Sequence, residues 1–254
     1  MLDKEVKLGN YLNNEKCKFK YLADARETMV LMIEEIHKIK GYREETLYIA
    51  VAIADKLLNC QALKEKEAPS LIHLGIVCVL IAAKLNQPKQ PCLMNLVRLV
   101  NEWYSDLVTA KDLLNLEKEI LTALEFDLQI ETTVNFLDRF ITLFNLDVIT
   151  CKSFDDQTKA MEIFKNSRYL SRFVMRDAKF LDFKPSTLAA ACFILAFNTT
   201  YCENTNGLGN EFQQQSPESH ETTCFNLASN LSQFESFILE KNVIENNAMV
   251  SQIN

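Results

Sequence analysis

The sequence predicts an all-α protein of two tandem five-helix domains, and three observations carry that prediction. Turn residues are scarce: the chain has 254 residues but only 5 glycines and 5 prolines. Glycine alone averages about 7 % of a globular chain, so β-hairpins and glycine-rich phosphate loops have little material here. Apolar side chains recur with the 3.6-residue period of a helix face rather than alternating as in a half-buried strand. Finally, a small-residue, apolar helix in the first half is echoed in the second, a weak internal repeat of one helical unit.

The first helix is expected over 27–40, where Met29, Met32, Ile33, Ile36 and Ile39 share a face and Gly41 supplies the stop. The second covers 44–60, with Leu47, Ala50, Ile53, Ala54 and Leu57 in one stripe. The third, over 70–86, is apolar all round, as befits a helix surrounded by others, with Ser70 expected as N-cap and Asn86-Gln87-Pro88 ending it. A short helix around 92–101 follows. A fifth, over 112–125, carries Leu113, Leu116, Ile120, Leu121 and Leu124. The pattern then restarts. Thr133 opens a helix to about Phe144, a long amphipathic helix spans 155–177, and Pro185 stands in the first turn of a second small-residue helix over 185–196. Residues 201–223 are rich in Asn, Gln, Ser, Thr and Glu and read as a polar loop. Leu227, Leu231, Phe234, Phe237 and Ile238 suffice for one or two closing helices over 225–243, and 244–254 reads as a frayed end.

Composition narrows the function. A net charge of −7 argues against nonspecific nucleic-acid binding, which needs a basic face to displace phosphate counterions. The longest apolar run, 71–83, falls short of the roughly 20 residues of a membrane span, and Met1-Leu2-Asp3-Lys4-Glu5 lacks the layout of a signal peptide. None of the 8 cysteines forms a Cys-x-x-Cys pair, and Cys60, Cys78 and Cys192 read as buried thiols acting as small hydrophobes. The histidines, His37, His73 and His220, have no metal-ligand spacing, and they form no nucleophile–base set with the carboxylates. The expectation is a soluble, intracellular protein without metal or cofactor.

Several segments, in order, resemble a cyclin of the A/B type. Tyr11-Leu12 and its flank resemble the short helix before the first cyclin box. Arg26 stands at the arginine of the family's Met-Arg-x-Ile-Leu segment. Glu45-Thr46-Leu47-Tyr48-Ile49-Ala50-Val51 and Ala54-Asp55-Lys56-Leu57-Leu58 resemble its Glu-Thr-Leu-His-Leu-Ala-Val and Ile-Asp-Arg-Phe-Leu. Leu80-Ile81-Ala82-Ala83-Lys84 resembles its Leu-Leu-Ala-Ser-Lys. Glu117 with Leu124-Glu125-Phe126-Asp127-Leu128 resembles its glutamate followed by Leu-Thr-Phe-Asp-Leu. Ala178-Lys179-Phe180-Leu181-Asp182-Phe183-Lys184-Pro185-Ser186 resembles its Tyr-x-Phe-Leu-x-Tyr-x-Pro-Ser. The implied layout is a lead-in with a short N-terminal helix (1–22), a first box (23–130) and a second box (131–243).

The resemblance implies a regulatory subunit that does no chemistry itself. It would form a heterodimer with a cyclin-dependent protein kinase and stabilise the kinase's active shape, which requires differential affinity for that shape. Lys84 would donate to main-chain carbonyls of the kinase's mobile helix, and Glu117 would accept from its N–H groups. Ile81, Leu85, Leu121, Phe126 and Leu128 would form the apolar walls of the groove. Taken alone, Lys84 reads as a lysine complementing its own helix C-terminus, Glu117 as an exposed helical glutamate, and the apolar residues as core. Kinase substrates or inhibitors are the further partners implied.

The chain departs from the family in two places. Asn86-Gln87 replaces an acidic pair after the lysine. The substrate-docking patch is degenerate: Ala25, Thr28, Met32 and Ile72 replace its methionine, isoleucine, tryptophan and glutamine, leaving Arg26 and Met29. Weak or altered recruitment of Arg-x-Leu substrates is therefore expected. The alternative reading is a cyclin-fold scaffold for a protein that is not a kinase. Behind it stand a promoter-binding relative, disfavoured by the acidic charge, and a helical enzyme, disfavoured by the lack of a catalytic set.

Overall fold

The computed structural model of the chain describes residues 22–59, 70–104, 108–150 and 154–206, with side chains over 25–59, 70–103, 108–142 and 158–200. Among the described residues there are eight α-helices, one 3-10 turn and no strand. They are α1 (Leu22–Lys40), α2 (Glu44–Asn59), α3 (Leu71–Asn86), α4 (Leu93–Tyr104), α5 (Ala110–Ala123), α6 (Thr133–Thr150), α7 (Phe154–Arg176), the 3-10 turn Ala178–Asp182, and α8 (Pro185–Asn206). The helix expected at Tyr11-Leu12, the segments 207–223, 225–243 and 244–254, and the side chains of Cys17, Cys60, Cys151, Cys202 and Cys224 lie outside the described residues.

The helix boundaries follow from local chemistry. Gly41, at φ +62°, ends α1 in the left-handed conformation that glycine adopts without penalty, and the Tyr42 N–H returns to the His37 carbonyl. Thr109 caps α5: its hydroxyl oxygen accepts from the Asp112 N–H while its O–H donates to the Asp112 carboxylate. Ser70 stands at the N-cap of α3 as expected, but its side chain makes no capping bond; its carbonyl opens the helix by accepting from the Leu74 N–H. Helix α8 also departs from the sequence reading. It continues to Asn206, so the first residues of the expected polar loop are helical.

The chain divides into two compact units. Over the described residues, the first runs to Asn135 and adds Arg172–Pro185; the second comprises Phe136–Ser171 and α8 from Ser186. In the first unit α3 is the central helix, packed against α1, α2 and α5, with every residue from Leu74 to Ala83 buried. Gly75 is what lets α3 approach α1 so closely. A Cβ there would stand 2.5 Å from Met32 Cε and 3.0 Å from Met29 Cγ.

The end of α7 is tied into this unit by three arginines. Arg26 forks onto Asp55, Nε to Oδ1 and Nη2 to Oδ2 at 2.8 Å each. The same guanidinium donates to the Arg176 carbonyl at 2.7 Å and the Met175 carbonyl at 3.1 Å, satisfying acceptors that a helix C-terminus leaves open. Arg176 in turn pairs with Glu34, and Arg172 with Glu44.

In the second unit, Phe136, Leu137 and Ile141 of α6 pack with Ala189 of α8, flanked by Phe140, Phe164 and Phe193. Arg168 lies over the Phe164 ring at 4.7 Å and pairs with Asp138. Cys78 and Cys192 are free and buried. Burial pushes the Cys192 thiol up to about 12 and raises that of Cys78 as well, so both act as small hydrophobes.

Candidate functional site

The site is built on the C-terminal turn of α3 and the length of α5. Helix α3 is apolar because its neighbours enclose it, and the first charge along it is Lys84, in the last turn. There the chain leaves the helix: Gln87 is extended (φ −88°, ψ 139°) while its N–H still returns to the Ala83 carbonyl. The amides of Asn86 and Gln87 are turned inward, donating to the buried Thr46 hydroxyl oxygen at 3.2 and 2.6 Å. The lip of α3 is therefore neutral apart from Lys84.

Helix α5 brings Glu117 to that lysine, with Lys84 Nζ donating to Glu117 Oε1 at 2.5 Å. The pair is lopsided. The Lys84 side chain is 40 % exposed and that of Glu117 only 11 %. An ammonium has three donors and a carboxylate several acceptor sites. Glu117 Oε1 is the one protein acceptor that Lys84 engages among the described residues. Lys84 thus keeps donor capacity on the solvent side, while Glu117 is largely enclosed.

The apolar residues around it differ in exposure. Ile81 is buried in the core, and Leu121 and Leu128 are half-buried against it. Leu85 (53 % exposed) and Phe126 (69 %) stand out in solvent. Leu114, which the sequence reading passed over, is also exposed. It lies one turn before Glu117 on α5, and Leu121 one turn after, so the three fall in a row along the helix. Its signal was an apolar residue beside Leu113, one more than the core face requires.

Phe126 owes its position to an unusual turn. After α5, Glu125 and Phe126 both take left-handed φ values, +52° and +59°. Each costs a non-glycine residue about 1–2 kcal/mol. The turn is stitched by the Phe126 N–H to the Leu121 carbonyl at 2.9 Å and the Asp127 N–H to the Leu124 carbonyl at 2.8 Å. From α2, Lys56 Nζ reaches both the Asp127 carbonyl (2.9 Å) and Asp127 Oδ2 (2.8 Å).

The residues expected to form a substrate-docking patch lie elsewhere, and mostly inside. Arg26, Met29 and Met32 are buried and Ile72 is half-buried. Little of the degenerate patch read from them is therefore presented to solvent. The Arg26 guanidinium is consumed by Asp55 and the end of α7, and the two methionines fill the space opposite Gly75. Among the described residues no cluster of histidine, cysteine and carboxylates has metal-binding geometry, and no helix is long and apolar enough to cross a membrane.

Comparison with known proteins bears on this architecture. The family model for "Cyclin, N-terminal domain" matches residues 3–129, and that for "Cyclin, C-terminal domain" matches 132–239. The G2/mitotic-specific cyclin-B3 of Mus musculus is 30 % identical over 197 residues, 74 % of this chain and 13 % of that protein. The G2/mitotic-specific cyclin-B of Emericella nidulans is 28 % identical over 171 residues (67 % of this chain, 32 % of that protein). Cyclin-A3-3 of Arabidopsis thaliana is 31 % identical over 152 residues (60 % and 42 %). The chain thus spans less than half the length of these relatives. Among solved structures, a viral cyclin from herpesvirus saimiri superposes with a TM-score of 0.54 at 16 % identity, covering 83 % of this chain and 85 % of that one. A chain of the CAK complex of Chaetomium thermophilum gives 0.56 at 11 % identity, covering 83 % and 63 %. At such identities the likeness speaks for the fold. The chain belongs to the cyclin family, with a cyclin N-terminal domain followed by a cyclin C-terminal domain.

Proposed function

We propose that this chain is a regulatory subunit that binds and activates a cyclin-dependent serine/threonine protein kinase and performs no catalysis of its own. The observation that carries the proposal is the half-open Lys84–Glu117 pair, flanked on α3 by exposed Leu85 and after α5 by exposed Phe126. The arrangement fits a foreign helix. Lys84 donates to carbonyls at one end of it, Glu117 accepts from main-chain N–H groups, and Leu85, Phe126, Leu121 and Leu128 receive apolar side chains, with Ile81 behind them. Membership of a family whose matched relatives include mitotic cyclins supports the choice of a kinase as occupant. Activation follows if the bound helix belongs to the kinase's mobile element, because contacts made only in the swung-in state shift the equilibrium toward it. The nucleus and cytoplasm are the compartments where such a heterodimer works.

The test is a pull-down from eukaryotic cell extract with the full chain, using Lys84→Ala/Glu117→Ala as control. Wild type is expected to retain a cyclin-dependent kinase that the double variant loses. Equal retention by both overturns the assignment of this pair. Recovery of non-kinase proteins alone favours the scaffold reading, for which the neutral Asn86-Gln87 lip is the supporting observation.

A further inference from the structure

We propose that Lys56 and Asp127 are positioning residues for the partner-binding face, a clamp that holds Phe126 ready as a preformed anchor. The proposal rests on the kinase-binding reading above and adds to it a device on a different helix.

Phe126 combines two unfavourable features in the free chain. Its ring lies in solvent, 69 % exposed, and its backbone, with that of Glu125, is left-handed with no glycine to ease it. Such conformations persist only where the surroundings over-determine them, and they cluster at functional sites. Locally the turn is held by the return bonds from the Phe126 and Asp127 amides into α5. Beyond α5, Lys56 supplies a tether from α2. A single ammonium grips both the main-chain carbonyl and the carboxylate of the residue after Phe126, at 2.9 and 2.8 Å. Lys56 is the better covered partner, 26 % exposed against 65 % for Asp127, so the fixed end of the clamp is on α2.

Energetically, the clamp acts on the free protein. Without it the turn samples right-handed alternatives, and the partner meets a face on which Phe126 is placed only part of the time. The apparent dissociation constant then rises in inverse proportion to the competent fraction. The main-chain bond fixes the path of the chain and the carboxylate bond reinforces it. Removing the Asp127 carboxylate should therefore matter less than removing the ammonium.

The test is a double-mutant cycle with a purified mitotic-type cyclin-dependent kinase as probe, accompanied by hydrogen exchange of the free chain. Lys56→Met keeps the aliphatic stem and removes the donors; it is expected to weaken kinase binding by about tenfold, Asp127→Ala by about threefold, and Lys56→Arg to restore most of the loss. In a Phe126→Ala background, Lys56→Met is expected to change affinity by less than about twofold, because the clamp then holds nothing the kinase uses. The same tenfold loss in both backgrounds overturns the proposal, since Lys56 would then act by itself or through the fold. In the free chain, Lys56→Met is expected to speed exchange of the Phe126 and Asp127 amides by about tenfold while leaving the interior of α5 unchanged. Unchanged exchange at those amides overturns the proposal whether or not the kinase binds. A normal exchange effect in a chain that binds no kinase would instead sink the functional reading while leaving the clamp intact.

Discussion

Two ion pairs of the first unit have similar chemistry and opposite character. Arg26–Asp55 is almost sealed, its side chains 2 % and 4 % exposed, and its guanidinium finds a bidentate carboxylate and two helix-end carbonyls. Lys84–Glu117 joins helices in the same way but lies open on the lysine side, with one bond made and others available. A buried charge is tolerated when its hydrogen-bonding groups are met from within, and its value then lies in what breaks when a partner goes. A half-open pair contributes little to the fold and is correspondingly free to be shared. Burial and hydrogen-bond completeness, rather than the presence of opposite charges, separate scaffold from contact surface.

This contrast can be broken in three ways. The largest effect is expected from Arg26→Ala, which removes the bidentate partner of buried Asp55 and uncaps α7. It should lower stability by about 3–5 kcal/mol, read as a fall in the urea midpoint. A midpoint within error of wild type would mean that the sealed pair is dispensable. Next comes Lys84→Ala, whose cost to stability should not exceed about 1 kcal/mol, the scale of a part-exposed pair. Its kinase affinity should nevertheless fall at least tenfold, measured by titration calorimetry. Losses of stability and affinity in parallel would erase the distinction between the two pairs.

The smallest effect is a pH dependence at the C-terminal end of α1, near Arg172 of α7. Burial, chiefly, and the nearby Arg172 charge hold the His37 imidazole below its ordinary value of 6.5, against the bond to the Arg43 carbonyl. The folded chain therefore takes up this proton later than the unfolded chain as pH falls. His37 contributes its stability in full above about 6.5 and loses it as the pH drops through that value toward the folded one. His37→Gln should flatten stability against pH in that acidic window, measured by thermal melts at several pH values. An unaltered slope would show that this end of α1 is insensitive to the charge.

Much of the architecture was written in side-chain period. The unbroken apolar run before Lys84, the stop at Gly41 and the proline opening α8 each act through one physical rule, and each element begins or ends close to where that rule puts it. The site was legible only in part. That Lys84 and Glu117 meet depends on how α3 and α5 cross, which no local pattern encodes; family likeness supplied it. The left-handed turn at Glu125 and Phe126 has no glycine or asparagine to announce it; it is held by return bonds into α5 and by a contact from α2. The structural role of Arg26 was hidden for a related reason. Arginine is seldom buried, and the aspartate that permits it lies 29 residues away, with its carbonyl acceptors another helix system further on. The extension of α8 to Asn206 was hidden by polar composition, which suits an exposed final turn as well as a loop.

The capping of α7 by Arg26 has a consequence for the order in which the protein is made. Donor and acceptor are separated by 150 residues, so on the ribosome the N-terminal half emerges long before the strand of chain that completes it. Until the segment Arg172–Pro185 is synthesised, the Arg26 guanidinium lacks its two α7 carbonyls and this unit lacks part of its sequence. A cut at the apparent midpoint of the chain would separate Arg26 from the Met175 and Arg176 carbonyls that it caps.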